Sequence, residues 1–431
     1  MAIDRDELYR RRQQREAYRH RRKRAMYTRL AIAIAVLLAC AVGIFILMKN
    51  SEPASAPVIA TEAAPIVEEV EETEAPTEKR ASWEKEPVKI HVAAAGDLNI
   101  TDKVIWSGQT SSDFNYTNAF MDVAPIFSEA DLSILNFEGN VCGAPYGTET
   151  ISAPQQMLEA LKNAGVDVLQ MANSCSIRNG LIGLTATLSS IRAAGLEPVG
   201  AYSSADEFRR SKGYTICQVG DVKIALVSFT KGVGSLGLPV GSEDCVNLLY
   251  EDYYTTYQTI NKKGIRNILR AAESEKPDIT IALLHWGSEY NEDISDSQKS
   301  IANLMISEGV DAIIGSHPHL VHQVDFNEEE GTLVAYSLGD FFGDGERGGT
   351  NYSIILDMEI TKDNTTGDAA ITGFSYTPIF TLTESNRPVR VLRIREAIAA
   401  YEAGYMEAVS EETYEAMKYA LTRIEQRIAG E

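Results

Sequence analysis

ITIALLHWGSEYNEDISDSQKSIANLMISEGVDAIIGSHPHLVHQVDFNEEEGTLVAYSLGDFF, residues Ile279–Phe342, holds four of the six histidines in the chain: His285, His317, His319 and His322. His285 follows the apolar run IALL, and His317 with His319 follows VDAIIGS, so both groups read as strand ends opening into loops. Open α/β sheets build their sites at such ends. Neutral imidazoles are ligands for zinc, manganese or iron, and a His-Pro-His backed by a third imidazole from a neighbouring strand supplies much of a coordination sphere. A single histidine at a loop start is ordinary; it is the clustering that points to a metal.

Working outward, the same alternation extends toward the N-terminus. VKIHVAAAGD from Val88 reads as a buried strand ending at Gly96-Asp97, and DLSILNFEG as a second ending at Asn136 and Glu138. Asn118 to Glu129 has a helical pattern. Helix Pro154 to Asn163 leads into a strand from Val166 to Asn173, and helix Leu181 to Ala194 stops at Gly195. A hairpin turns at Gly220-Asp221. A long polar helix from about Asp252 to Ser274, strand Asp278 to Leu284, helix Ser297 to Glu308 and strand Val310 to Gly315 complete an α/β pattern with a largely buried sheet. From His322 to Thr383 the pattern changes to hairpins around NEEEG and TKDNTTGD, which predicts a mixed or doubled sheet. The tail after Pro388 reads as two helices.

The strand ends then gather Asp97, Glu138, the Asn173 to Cys175 segment, His285, His317 and His319 along one edge. Carboxylates with imidazoles are the ligand set of a two-metal hydrolytic centre. Each also has an ordinary role: Gly-Asp after a strand makes a turn, Glu138 caps a helix, Asn173 bonds its own loop.

The N-terminal 87 residues are of another kind. Residues 1–29 are arginine-rich, and Leu30 to Met48 is 19 residues without a charge, long enough to span a bilayer as a helix. The cationic flank predicts a cytoplasmic N-terminus and an extracellular main domain on a single-pass anchor; a cleaved signal peptide is the competing reading. Residues 49–87, rich in Pro, Ala and Glu, predict a disordered acidic tether. The domain expected over 88–385 and the helical extension over 386–431 follow. With 44% hydrophobic residues the chain has material for a substantial core, and a net charge of -21 argues against nucleic acid as a partner. An anionic ligand therefore needs a local cation, a bound metal or a small Arg/Lys cluster.

Six motifs in order, AAGD (94–97), NFEG (136–139), ANSCSIRNG (172–180), HWGSEY (285–290), GSHPH (315–319) and YSLGDF (336–341), resemble the CapA family of poly-gamma-glutamate capsule synthesis proteins, within the calcineurin-like metallophosphatase superfamily. The resemblance implies a four-layer α-β-β-α sandwich with mixed sheets, preceded by one transmembrane helix. It implies a divalent metal (manganese, zinc or iron) held by Asp97, Glu138, Ser174, His285, His317 and His319. It also implies substrate contacts from Asn136, Asn173, Arg178, Trp286, Glu289 and Asp340, and a role in making, exporting or anchoring an anionic surface polymer such as poly-gamma-glutamate beside other membrane proteins. Trp286 and Tyr290 have packing as their alternative to stacking on a ligand.

The chain departs from the family pattern at two motifs: the usual asparagine after Leu-Gly is Asp340, which either offers a carboxylate to a metal or terminates the strand, and the larger departure lies in ANSCSIRNG. Where the family has Asn-His followed by an aspartate, this chain has Ser174-Cys175 and then Arg178. The superfamily assigns that asparagine to a metal and that histidine to protonating a leaving group; a thiol donates a proton poorly near neutrality. Cys175 and Arg178 are thus the doubtful catalytic pair, with Arg178 either binding an oxyanion or pairing with a nearby acid. Two readings stand: a metal-dependent hydrolase of altered efficiency, and a pseudoenzyme that binds polymer or a partner membrane protein. A disulfide between Cys142 and Cys175 is geometrically admissible and would close over the site.

Overall fold

The computed structural model describes residues 86–431 except 235–236, 385–386 and 407–408. The basic leader, the apolar segment and nearly all of the tether lie outside the described residues; among those described, no helix is long and apolar enough to cross a membrane. Among the described residues fourteen strands form two sheets: β1 (Val88–Asn99), β2 (Leu132–Glu138), β3 (Val168–Gln170), β4 (Glu197–Val199), β5 (Tyr214–Val219), β6 (Val222–Thr230), β7 (Ile279–His285), β8 (Ala312–Ser316), β9 (Val324–Asn327), β10 (Thr332–Ala335), β11 (Asp340–Phe342), β12 (Tyr352–Lys362), β13 (Ala369–Leu382) and β14 (Arg390–Arg393). The first sheet runs β14-β13-β12-β1-β2-β3-β4, with β11 also paired to β1; the second runs β5-β6-β7-β8-β10-β9. Both are mixed: β1 to β4 are parallel and β12 to β14 antiparallel, while β6, β7, β8 and β10 are parallel between antiparallel edges.

Period-two alternation makes the layers. Ile90, Val92 and Ala94 of β1 share one buried cluster with Ile224 and Leu226 of β6 and Ile281 and Leu283 of β7, so this is the core between the sheets. Ala93 and Ala95, pointing the other way, pack with Val104, Phe120, Phe127, Leu158 and Leu188 from the helices on the outer face. On the second sheet Ala225, Val227 and Phe229 meet Ile265 and Leu269 of helix Lys262–Glu273 and Ile301 and Met305 of helix Asp296–Ser307. Helix, sheet, sheet, helix is the expected four-layer order. The C-terminal helices Ile394–Glu402 and Glu411–Ala429 join the inter-sheet core through Ile394, Ala397, Met417, Ala420, Ile424 and Ile428.

Several expected elements shift. The helix expected from Asp252 begins only at Lys262, because the Asp252 carboxylate accepts from Gln258 N at 2.8 Å and Thr259 N at 2.9 Å and folds its segment into a turn; the Asn261 side chain then caps the helix at Gly264 N, 2.9 Å. Asn118 to Glu129 is two short helices, Thr117–Phe120 and Ala124–Glu129. The NEEEG and TKDNTTGD turns do join antiparallel pairs, β9 with β10 and β12 with β13. Cys142 and Cys175 are both free thiols, which corrects the disulfide; Cys142 Sγ lies 3.6 Å from Ser152 Oγ instead.

Candidate metal centre

Asp97, Glu138, His285, His317 and His319 stand at or just beyond the C-terminal end of a parallel strand, and Asp340 opens β11. A register shift at Gly96 turns the end of β1, so that Asp97 pairs with Asn136 of β2 on one side and Asp340 of β11 on the other. Gly96 is required there: a Cβ on it would sit 1.8 Å from Gly339 O, and Asp97 N donates to that same carbonyl at 2.9 Å. Two residues along β2 from Asn136, Glu138 lies on the same face, and the Asn136 amide donates to Asp97 Oδ1 at 2.7 Å and to Glu138 Oε1 at 3.1 Å. Asn173 holds Asn136 in turn, donating to its Oδ1 at 3.1 Å and to Phe137 O at 2.8 Å. Both asparagines are buried and position the carboxylates.

The second sheet supplies the imidazoles. His285, fully buried at the end of β7, places Nε2 2.8 Å from Glu138 Oε1 and Nδ1 3.3 Å from Thr230 Oγ1 of β6. His317 N donates to Asp97 Oδ2 at 3.0 Å, tying the loop after β8 to the first sheet. His319 Nδ1 lies 2.7 Å from Asp340 Oδ1 and 3.5 Å from Asp97 Oδ2. His317 and His319 hold left-handed backbone, φ +90° and +61°, a cost found at functional loops.

Three donor sets overlap here: Glu138 with His285 and His317, Asp97 with Glu138 and His319, and Glu289 with His317 and His319, the donor atoms of each lying within 4.8 Å of one another. Glu138 belongs to two of them. His317 Nδ1 is buried without a hydrogen-bond partner, a donor atom with nothing to donate to. Burial, then the Glu138 charge, pushes the Asp97 carboxyl well above the usual carboxylate range. Burial also works to raise Glu138, but His285, His319 and His317 outweigh it and hold its carboxyl low. Burial opposes charge on His319, and Asp340, Glu138 and Asp97 overcome it, raising the imidazole to about 10. Burial and the neighbouring His285 push His317 well below its ordinary value. Buried carboxylates crowded against imidazoles, with one nitrogen unpartnered, fit one or two divalent cations.

Of the other expected site residues, Ser174 Oγ reaches Glu138 Oε2 at 3.3 Å and Cys175 Sγ lies 3.9 Å from the same oxygen. Burial and the Glu138 charge drive the Cys175 thiol far up, so it stays protonated at neutral pH. Arg178 is exposed and donates to Glu149 O at 3.1 Å. Trp286 is fully buried, donates Nε1 to Tyr336 O at 2.9 Å and packs in the helix-side core; no ligand at the centre reaches it. Glu289 is exposed beside His317 and His319. Sequence reasoning missed Thr230 and Asn99. Thr230 ends a strand and was open to the strand-end argument; Asn99, two residues after Asp97, hydrogen-bonds Asp340.

The described residues thus place a candidate carboxylate–imidazole metal centre at the strand ends of a four-layer sandwich. The profile described as "Bacterial capsule synthesis protein PGA_cap" matches residues 91–344, and the chain belongs to that family. It is 27% identical over 258 residues to the PGA biosynthesis protein CapA of Bacillus subtilis, covering 57% of this chain and 62% of that one. It is also 27% identical over 218 residues to the capsule biosynthesis protein CapA of Bacillus anthracis, covering 50% and 49%. The chain thus spans 49% to 62% of the length of these relatives. The crystal structure of the calcineurin-like phosphoesterase YfkN from Bacillus subtilis aligns over 75% of this chain and 99% of that one, at 15% identity and a TM-score of 0.41.

Proposed function

We propose that this protein is a membrane-anchored, extracytoplasmic participant in the synthesis, export or anchoring of an anionic surface polymer of the poly-gamma-glutamate or capsule type, and that it works as a metal-dependent hydrolase on a phosphoester or amide bond. The observation that carries the reading is the overlap of donor sets on Glu138 beside the unpartnered Nδ1 of His317. Asp97, Glu138, His285, His317 and His319 would hold manganese, zinc or iron, with Ser174 at the rim. The metal would supply charge to neutralise substrate oxygens and lower the pKa of a water. The chain's own residues do the rest: Asn136 and Asn173 fix the carboxylates, Thr230 fixes the His285 ring, and the packed loops keep bulk water away. The apolar segment Leu30 to Met48 supports the anchor, with membrane proteins of a polymer-synthesis complex as neighbours.

One observation favours a second reading, polymer binding without turnover: the acid expected beside the centre is a protonated, half-buried thiol at Cys175. General acid catalysis typically contributes ~10²–10⁴-fold, so its loss is felt. The test is metal content of the full chain, resupplied with manganese and zinc, alongside His285→Ala and His317→Ala, followed by assays on phosphoesters and gamma-linked glutamate oligomers. Bound metal that both variants lose, together with hydrolysis, supports the enzyme. Bound metal without turnover supports the binding protein, and no metal in the parent ends the hydrolase reading.

A further inference from the structure

At the lip of the centre, Arg347 lays its guanidinium over the Tyr290 ring, Cζ 4.0 Å from the ring centroid. Tyr290 in turn stacks on the His319 imidazole, centroids 5.1 Å apart and planes 21° apart. A cation therefore stands two rings out from a metal-ligating imidazole. Both ends of this stack are held. Tyr290 N donates to Pro318 O at 2.9 Å and His322 Nε2 lies 2.9 Å from Asn291 O, so the loop after β7 is fastened to the His-Pro-His loop. Thr350, itself buried, donates its N–H and hydroxyl to Arg347 O at 3.1 and 2.9 Å.

Among the described residues no carboxylate pairs with Arg347, and the side chain is exposed. That is unusual in a chain of net charge -21, where carboxylates outnumber cations. Glu289, an exposed carboxylate beside His317 and His319, has the Lys231 ammonium in its field. An aromatic face orients a guanidinium while leaving its N–H edge free to bind an oxyanion in two parallel hydrogen bonds.

We propose that Arg347 is a specificity-determining residue that binds a second oxyanion of a polyanionic substrate whose first anionic group lies at the Asp97–Glu138–His317–His319 centre. The inference rests on the metal-centre reading above and adds the substrate class: a molecule with two anionic groups separated by several bonds. Arg178, the arginine singled out from sequence, instead donates to Glu149 O.

The test is calorimetric binding to the full chain loaded with manganese, using sorbitol 6-phosphate, 6-phosphogluconate and sorbitol 1,6-bisphosphate. These share a backbone and differ in the far group: neutral, carboxylate or phosphate. The parent should bind at least one dianionic probe about tenfold tighter than sorbitol 6-phosphate, as a charge-assisted pair allows. Which of the two is preferred names the far group as carboxylate or phosphate. Arg347→Gln should bring that ratio to about one, and Arg347→Lys should fall between. A ratio retained in Arg347→Gln overturns the role of Arg347 while leaving the metal centre standing. A parent that takes up manganese but binds the three probes alike, or none of them, overturns the role of Arg347, whereas a parent that takes up no manganese overturns the metal centre on which it rests.

Discussion

Glu138 Oε1 lies 2.8 Å from His285 Nε2, and the two residues come from different sheets of the sandwich, β2 and β7. The contact closes the mouth of the inter-sheet core and makes Glu138 common to two of the three donor sets. Glu138→Gln keeps the shape and removes the charge. Metal affinity should fall by more than the ~10–100-fold typical of a group that only orients a ligand. Competition against a metal-sensitive dye measures it; an unchanged affinity would remove Glu138 from the ligand set.

Gly96→Ala tests the turn that aims Asp97. The added Cβ would meet Gly339 O at 1.8 Å, backbone against backbone, with no flexible side chain to give way. Relief requires β1 and the Leu338–Asp340 turn to separate, which breaks the Asp97 N to Gly339 O bond. The expected destabilisation is at the upper end of the ~1–3 kcal/mol usual for overpacking, with metal affinity lowered alongside it. Denaturant melts of parent and variant give the first quantity. A variant as stable as the parent would show that the strand end tolerates the shift.

Much of this centre was legible in sequence, since the strand-end argument depends only on local apolar runs, and Asp97, Glu138, His285, His317 and His319 each end one. Their pairing was not: that Glu138 meets His285 follows from how two sheets stack, which local periodicity does not encode. Of the two roles open to Trp286, ligand contact and packing, the structure has packing, and the signal for it is in the sequence. Trp286 follows His285 directly, and consecutive residues in extended backbone face opposite ways, which here sends the indole to Tyr336. The helix expected from Asp252 failed because side-chain bonds from that aspartate compete with helix formation. Arg347 carried no motif; only the tertiary stack on Tyr290 marks it.

Acid stability should depend on Glu207. Its carboxylate pairs with Arg192 and accepts from Ser203 N at 2.7 Å. Burial works to raise its pKa, but the Ser203 hydroxyl and amide and the Arg192 charge outweigh it, so the folded value is lowered. A group lowered on folding contributes stability that is complete above its unfolded pKa, about 4.3, and is lost as pH falls through the folded value. Glu207→Gln should therefore flatten the acid limb of a stability–pH curve below about pH 5, by no more than ~1 kcal/mol given its partial exposure. The curve above that range should keep its shape, and an acid limb identical in both proteins would show that Glu207 carries no linkage.

Cys175 supplies the most direct test of what the altered motif does. Its thiol lies 3.9 Å from Glu138 Oε2 and is driven up by burial and by that charge, so it stays protonated near neutral pH. Iodoacetamide at pH 8 should modify exposed Cys142 well before Cys175, as peptide mass spectrometry would read. The family pattern has Asn-His at these two positions. Ser174→Asn with Cys175→His restores a group that titrates near neutrality and donates a proton. If the centre is intact and only the acid is missing, hydrolysis of p-nitrophenyl phosphate by the metal-loaded double variant should rise by ~10² or more over the parent. Its bell-shaped pH profile should carry a limb that the parent lacks. Equal rates in both proteins, with metal bound in both, would mean that the acid is not what limits this centre, and would turn attention from Cys175 to how the substrate is held.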